Sequence, residues 1–117
     1  MGKTETALRK PICEALRKCG GDITPYVGST MGREGTCDIF LAHKLWHGWI
    51  EFKGPNTKIK PTQELYIQEL RKRNVKAVVI RIFENNSLMF DEELSVNWLD
   101  GWDILEALQN HDCLGSL

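Results

Sequence analysis

The chain has 117 residues and a net charge of −1, and no apolar run in it reaches the roughly 18 residues needed to cross a bilayer. One domain spanning residues 1–117 is expected, with a folded core that needs no metal or disulfide staple, which excludes the disordered and the membrane-spanning classes. The N-terminal MGKTETALRK lacks the apolar stretch of a secretory leader, so a cytoplasmic protein is expected.

Charge is unevenly distributed. Residues 1–81 carry all 15 lysines and arginines against 8 carboxylates, whereas residues 82–117 carry 8 carboxylates and no lysine or arginine. A basic body of this kind suits a protein that meets a polyanion, although a solvated helix face produces the same count.

Leu8, Ile12 and Leu16 recur at helical spacing and Gly20-Gly21 supplies a stop, with Pro11 expected to kink this helix or mark its start. Residues 23–28 read as a short edge strand, because Pro25 has no N–H to donate. Ser29 to Thr36 is a glycine-rich loop carrying Arg33. Cys37 to Ala42 and Trp49 to Lys53 read as two strands joined by HKLWHG. A turn centred near Leu45 and Trp46 would place Asp38 across from Phe52 and Lys53.

Pro61 suits a first helical turn, opening a helix to about Arg73 that Asn74 ends in a left-handed conformation. VKAVVIRIF is β-branched and nearly continuously apolar, the pattern of a buried strand, and Asn85-Asn86 turns the chain. Ser95 to Asn110 is read as a closing helix with Val96, Leu99, Leu105 and Leu108 inward and Gly101 as a weak point. The order α-β-β-β-α-β-α defines a small α/β (α+β) fold around a mixed sheet.

Cys13, Cys19, Cys37 and Cys113 form no CxxC and no cysteine–histidine pair at zinc-ligand spacing, so reduced and mostly buried thiols are expected. His43 and His47 fall on the hairpin loop, where histidine is usually solvated, and His111 has no partner in sequence. Trp46 and Trp49 are candidates either for packing or for a contact with a partner.

WIEFK concentrates the chemistry. Strand alternation turns Ile50 and Phe52 to one face and Glu51 and Lys53 to the other. Two carboxylates beside a lysine, Asp38 and Glu51 with Lys53, make an oxygen-rich site for a hard cation such as Mg²⁺, with the lysine placed to orient water or shield a phosphate. The competing explanation is a cross-strand ion pair on a surface strand, since an E-x-K tripeptide occurs by chance in roughly one chain in three of this length. Two further positions weigh against it. Gln63 lies on the packing face of the second helix with Ile67 and Leu70, and Glu5 is in helical register with Leu8, Ile12 and Leu16. A core-directed amide and a core-directed carboxylate are costly unless they have partners.

These segments, from Glu5 through Gly35-Thr36-Cys37-Asp38 and Trp49-Ile50-Glu51-Phe52-Lys53 to Pro61-Thr62-Gln63 with Tyr66, Ile67 and Leu70, resemble the VRR-NUC domains, a virus-type branch of the PD-(D/E)xK nucleases. The length is similar to that of the stand-alone viral members. The resemblance implies a restriction-endonuclease-like core in αβββαβ order followed by a C-terminal helix, and metal-dependent hydrolysis of DNA phosphodiesters. By position it implies that Asp38 and Glu51 hold Mg²⁺ or Mn²⁺, with the Phe52 carbonyl and Glu5 as further ligands. Lys53 would position the attacking water and Gln63 would hydrogen-bond beside it, while Arg33, Lys58 and Lys60 flank the site as candidates for phosphate contact. Cys37 departs from the proline usual before the motif aspartate, and Asn74 stands where glycine is common. The resemblance further implies a homodimeric endonuclease selective for branched DNA such as Holliday junctions, phage-encoded and acting in a bacterial cell. A flap or restriction-type nuclease on the same core is the alternative enzyme, and a non-catalytic DNA-binding accessory protein is the alternative from another class.

Overall fold

The protein is described from a computed structural model covering residues 5–25 and 37–114, with side chains in the first helix from Ala7 onward. Helix α1 (Glu5–Lys18) turns Leu8, Ile12 and Leu16 inward. It continues through Pro11, which lies on the exposed side, so the expected break does not occur. A proline on the outer face of a surface helix loses one backbone hydrogen bond, and the buried inner stripe keeps the helix intact around it. Gly20, with φ +92, ends the helix region in a conformation that L side chains rarely adopt, and the Gly21 N–H donates back to the Leu16 carbonyl.

A six-stranded mixed sheet follows in sequential order: β1 (Asp22–Pro25), β2 (Ile39–Ala42), β3 (His47–Lys53), β4 (Ala77–Phe83), β5 (Ser87–Phe90) and β6 (Leu94–Asn97). Only β3 and β4 run parallel, joined by a crossover through α2 (Pro61–Lys72); every other neighbouring pair is antiparallel. Pro25 does sit on an edge strand, as its missing donor requires. Residues 26–28 of the expected strand, and the Arg33 loop, lie outside the described residues.

The β2–β3 hairpin is tighter than the sequence suggested. Ala42 pairs with His47 and Ile39 with Ile50, and His43 and Trp46 exchange backbone hydrogen bonds, so the turn centres on Lys44 and Leu45. Extending this register places Asp38 opposite Glu51 rather than opposite Phe52 and Lys53. Trp46 is buried in the core, which assigns it to packing rather than to a partner contact. His43 is also buried, with Nε2 2.8 Å from the Cys19 carbonyl and Nδ1 accepting from the Leu45 N–H, which corrects its assignment as a solvated histidine.

The C-terminal region differs most from expectation. Its long helix is replaced by the β5–β6 hairpin and a shorter α3 (Gly101–Asn110). The hairpin turns at Asp91 and Glu92, which take φ of 52 and 61 with no glycine to signal it. Val96 therefore lies on a strand, and Leu99 is 88% exposed. Asp100 caps α3 by accepting from the Asp103 N–H. Gly101 is no weak point: a Cβ there would come within 2.3 Å of the Ala15 carbonyl oxygen, so glycine lets α3 press against α1.

The two faces of the sheet differ in content. Ile50, Phe52, Ile80, Ile82, Leu88 and Phe90 form the main core with α1 and α3. The other face carries a smaller cluster of Cys37, Ala77 and Val79 under Ile67 of α2. Glu51 and Lys53 point to this second face. Cys13, Cys19, Cys37 and Cys113 are free thiols, three of them buried. No helix among the described residues is long and apolar enough to cross a membrane.

Candidate active site

The site forms where β3 ends. Its alternation sends Glu51 and Lys53 beneath α2, and both are nearly inaccessible, at 2% and 5% exposure. Lys53 Nζ lies 3.3 Å from Glu51 Oε2. This is therefore no solvated surface pair: both ions have left water, a cost of several kcal/mol per ion that their mutual attraction has to offset. Burial of this kind rules out the surface-strand explanation of WIEFK.

Gln63 arrives from the first turn of α2, as its place on the packing face predicted. Its Nε2 donates to Glu51 Oε2 at 2.8 Å, while its Oε1 accepts from the Lys60 N–H at 3.1 Å. One side chain thus ties the start of the helix to the carboxylate. Asp38 sits in the bend just before β2. Its Oδ2 accepts from the Phe52 N–H at 2.8 Å, which pins the carboxylate beside β3. Both carboxylates bear on the Cys37 thiol between them: burial pushes its pKa well up, and Glu51 and then Asp38 push it further, against a smaller effect of Arg71. Cys37 is thus a protonated packing group, consistent with a structural role for the residue before Asp38.

Two residues, Arg9 and Arg81, shape the site without a clear signal in sequence, and two more, Arg71 and His111, form a separate cluster. Arg9 extends Nη1 to 3.7 Å from Asp38 Oδ1, and its position one turn after Glu5 was the available hint. Arg81 is the parallel-register neighbour of Lys53. It donates to the carbonyls of Gly54 and Thr57, bracing the loop that carries Lys58 and Lys60, and Glu92 holds its guanidinium from behind at 2.6 Å. Arg71, at the far end of α2, donates to the Ala77 carbonyl and to Asp91 Oδ2. His111, assigned no partner from sequence, places Nε2 2.6 Å from the same Asp91 oxygen.

Lys58 and Lys60 are exposed on the loop between β3 and α2, at the mouth of the site. Glu5 belongs to α1, but its side chain lies outside the described residues, as does Arg33. Among the described residues no three His, Cys, Asp or Glu side chains converge as a complete metal cage. What is present is an oxygen-only donor set, the Asp38 and Glu51 carboxylates beside the Phe52 backbone. That chemistry fits a hard divalent cation, which binds through one or two carboxylates and keeps several waters.

A mixed sheet with a buried carboxylate and lysine two residues apart on one strand, a second carboxylate pinned beside that strand, and a crossover helix over them is the architecture of a PD-(D/E)xK-type nuclease core. Residues 5–83 match the VRR-NUC domain, and the chain belongs to that nuclease-domain family. Among solved structures it is similar to a VRR_NUC domain at 26% identity and a TM-score of 0.59, covering 71% of this chain and 89% of the other. It is also similar to Hjc of Archaeoglobus fulgidus, a Holliday junction resolvase from an archaeal hyperthermophile. That likeness has a TM-score of 0.60 and 15% identity, covering 88% and 98% of the two chains, and it shows the shared fold. A comparison with curated proteins finds no significant match.

Proposed function

We propose that the chain is a Mg²⁺- or Mn²⁺-dependent endodeoxyribonuclease that hydrolyses phosphodiester bonds in branched DNA. The observation that carries this reading is the burial of Glu51 and Lys53 side by side, with Gln63 on the carboxylate and Asp38 pinned to the same strand. The Glu51 carboxylate meets the Gln63 amide and the Lys53 ammonium, side-chain groups that can yield to a phosphate and a cation.

Asp38 and Glu51 would hold the cation, with the Phe52 carbonyl as a further oxygen donor and Glu5 as a fourth candidate. A cation held there lowers the pKa of water and neutralises charge growing on a phosphoryl oxygen. The chain's own residues do the positioning. The Phe52 N–H fixes one oxygen of Asp38, and the other lies 3.7 Å from the Arg9 guanidinium. Gln63 donates to the same Glu51 oxygen that Lys53 approaches, and so fixes the carboxylate's orientation. The Lys53 ammonium then orients the attacking water and offsets charge on the phosphate. Lys58 and Lys60, with Arg33, supply contacts to flanking phosphates, which set affinity without reading sequence.

Selectivity for branched DNA is supported by the activity named for the Hjc neighbour. It is also why we propose a homodimer, since a symmetric junction requires two matched cuts. The test is a labelled four-way junction, a flap and a linear duplex, each incubated with wild type and Asp38→Ala under Mg²⁺ or Mn²⁺. Junction cleavage by wild type and not by the variant is expected. No metal-dependent cutting of any substrate would reject the enzyme and favour a DNA-binding accessory protein. Duplex or flap cut as fast as junction would reject junction selectivity alone and favour a flap or restriction-type nuclease.

A further inference from the structure

The two edges of the sheet are built differently. β1 carries Asp22 and ends in Pro25, a charge and a missing donor that discourage strand addition. β6 is Leu94-Ser95-Val96-Asn97, with neither a charge nor a proline, and it forms the other edge. The Trp98 N–H donates to the Asn86 carbonyl, continuing the register that pairs Ser87 with Asn97. Hydrogen-bonded pairs alternate along an antiparallel ladder, so Leu94 and Val96 spend their backbone groups on β5. Ser95 and Asn97 therefore direct their N–H and C=O groups outward along the open edge.

Beside this edge, between β6 and α3, runs a groove of about 360 Å³. Leu94, Val96 and Ala107 give it an apolar floor, and Asp103 and Glu106 give it an acidic wall. Neither acid makes an ion pair among the described residues, and no lysine or arginine exists anywhere in residues 82–117.

We propose that the β6 edge and this groove dock an extended, basic segment of a partner protein, which adds as a seventh strand. Main-chain hydrogen bonds to Ser95 and Asn97 supply the pairing. Alternate side chains of the added strand face α3, where apolar ones rest on Leu94 and Val96 and basic ones meet Asp103 and Glu106. The charge selects the occupant. A second copy pairing β6 with β6 would bring two sets of these same carboxylates together, and nucleic acid carries their sign. The site lies three strands from β3, and Leu94 and Val96 face the side of the sheet opposite Glu51 and Lys53, so docking leaves the nuclease site uncovered.

The test is a titration of fluorescein-labelled TKVRVKIT and its acidic counterpart TEVEVEIT, read by anisotropy, with amide exchange followed at Ser95 and Asn97. Saturable binding of the basic peptide alone is expected, with slowed exchange at both amides. Ser95→Pro removes one outward donor while leaving the β5 pairing intact, and should weaken binding about fivefold or more. Glu106→Lys, on an exposed position of α3, should weaken it at least as much without touching the backbone. No saturable binding, or binding unchanged in both variants, overturns the proposal. So does self-association in sedimentation that Ser95→Pro abolishes, which would assign the edge to a second copy. DNA cleavage by Ser95→Pro should match wild type, so this inference and the nuclease reading fail separately.

Discussion

Two buried clusters of charge lie under the same helix, and they are finished differently. At one end of α2, Arg71, Asp91 and His111 are knitted into the backbone. Arg71 donates to the Ala77 carbonyl from Nε and Nη2, Asp91 Oδ1 accepts from the Val79 N–H, and Asp91 Oδ2 takes both Arg71 and His111 at 2.6 Å. At the other end, Glu51 Oε2 accepts from the Gln63 amide at 2.8 Å and lies 3.3 Å from the Lys53 ammonium. The first cluster locks the C-terminal segment and the start of β4 to α2, and has no capacity left for a ligand. The second is held by groups that can yield to a phosphate and a cation. Burial alone does not mark a site; the kind of partner a buried charge has separates an anchor from a candidate site.

The largest effect expected from this contrast is on stability. Asp91→Ala strips the buried Arg71 of its counter-ion and should cost about 3–5 kcal/mol in denaturant unfolding. The matched change at the other cluster, Glu51→Gln with Lys53→Met, removes both charges together and should leave stability unchanged or raise it by about 1–4 kcal/mol. A double variant as unstable as Asp91→Ala would make Glu51 and Lys53 a second anchor. On activity the order reverses. The double variant should lose about 100-fold or more in turnover, roughly 2.7 kcal/mol of transition-state stabilisation, in a single-turnover cleavage assay.

Arg81 gives an intermediate case, because it belongs to neither cluster yet braces the loop that joins β3 to α2. Arg81→Met removes charge-assisted hydrogen bonds to Gly54 and Thr57, each worth about 1.5–3 kcal/mol. Limited trypsin digestion should then cut faster after Lys58, and KM for DNA should rise more than kcat falls. A fall in kcat alone would place Arg81 in the chemistry instead.

Much of the candidate site was legible in the sequence because its logic is local. Period-two alternation set Glu51 and Lys53 apart from Ile50 and Phe52, and helical register brought Gln63 inward. The register of Asp38 was misjudged because a turn over Lys44 and Leu45 shifts the whole partner strand. The anchor was invisible, since its members are separated by up to forty positions and meet only through tertiary contact. The β5–β6 hairpin hid for a different reason. Asp91 and Glu92 turn the chain with positive φ and no glycine, the conformation being held by the Asp91 carboxylate's bonds to Arg71 and Val79.

The smallest effect concerns how dry the anchor is, and Cys113 reports on it. This thiol lies against the Asp91 cluster, and burial, followed by the Asp91 charge, pushes its pKa from the ordinary 9.0 up to about 12, against weaker pulls from Arg71 and Lys76. A raised pKa means the native state keeps a proton that the unfolded chain gives up. Its contribution to stability is therefore complete below pH 9.0 and is lost as pH climbs toward about 12. Across that window each such thiol should cost about 1.4 kcal/mol per pH unit. Cys13 and Cys37 shift in the same direction, so wild type should show a steep alkaline decline that Cys113→Ala makes shallower without abolishing it. Unfolding free energies measured between pH 8 and 11 decide the matter. Identical slopes in the two proteins would mean that water reaches Cys113, and with it the Asp91 anchor, which would erase the contrast in solvation between the two clusters.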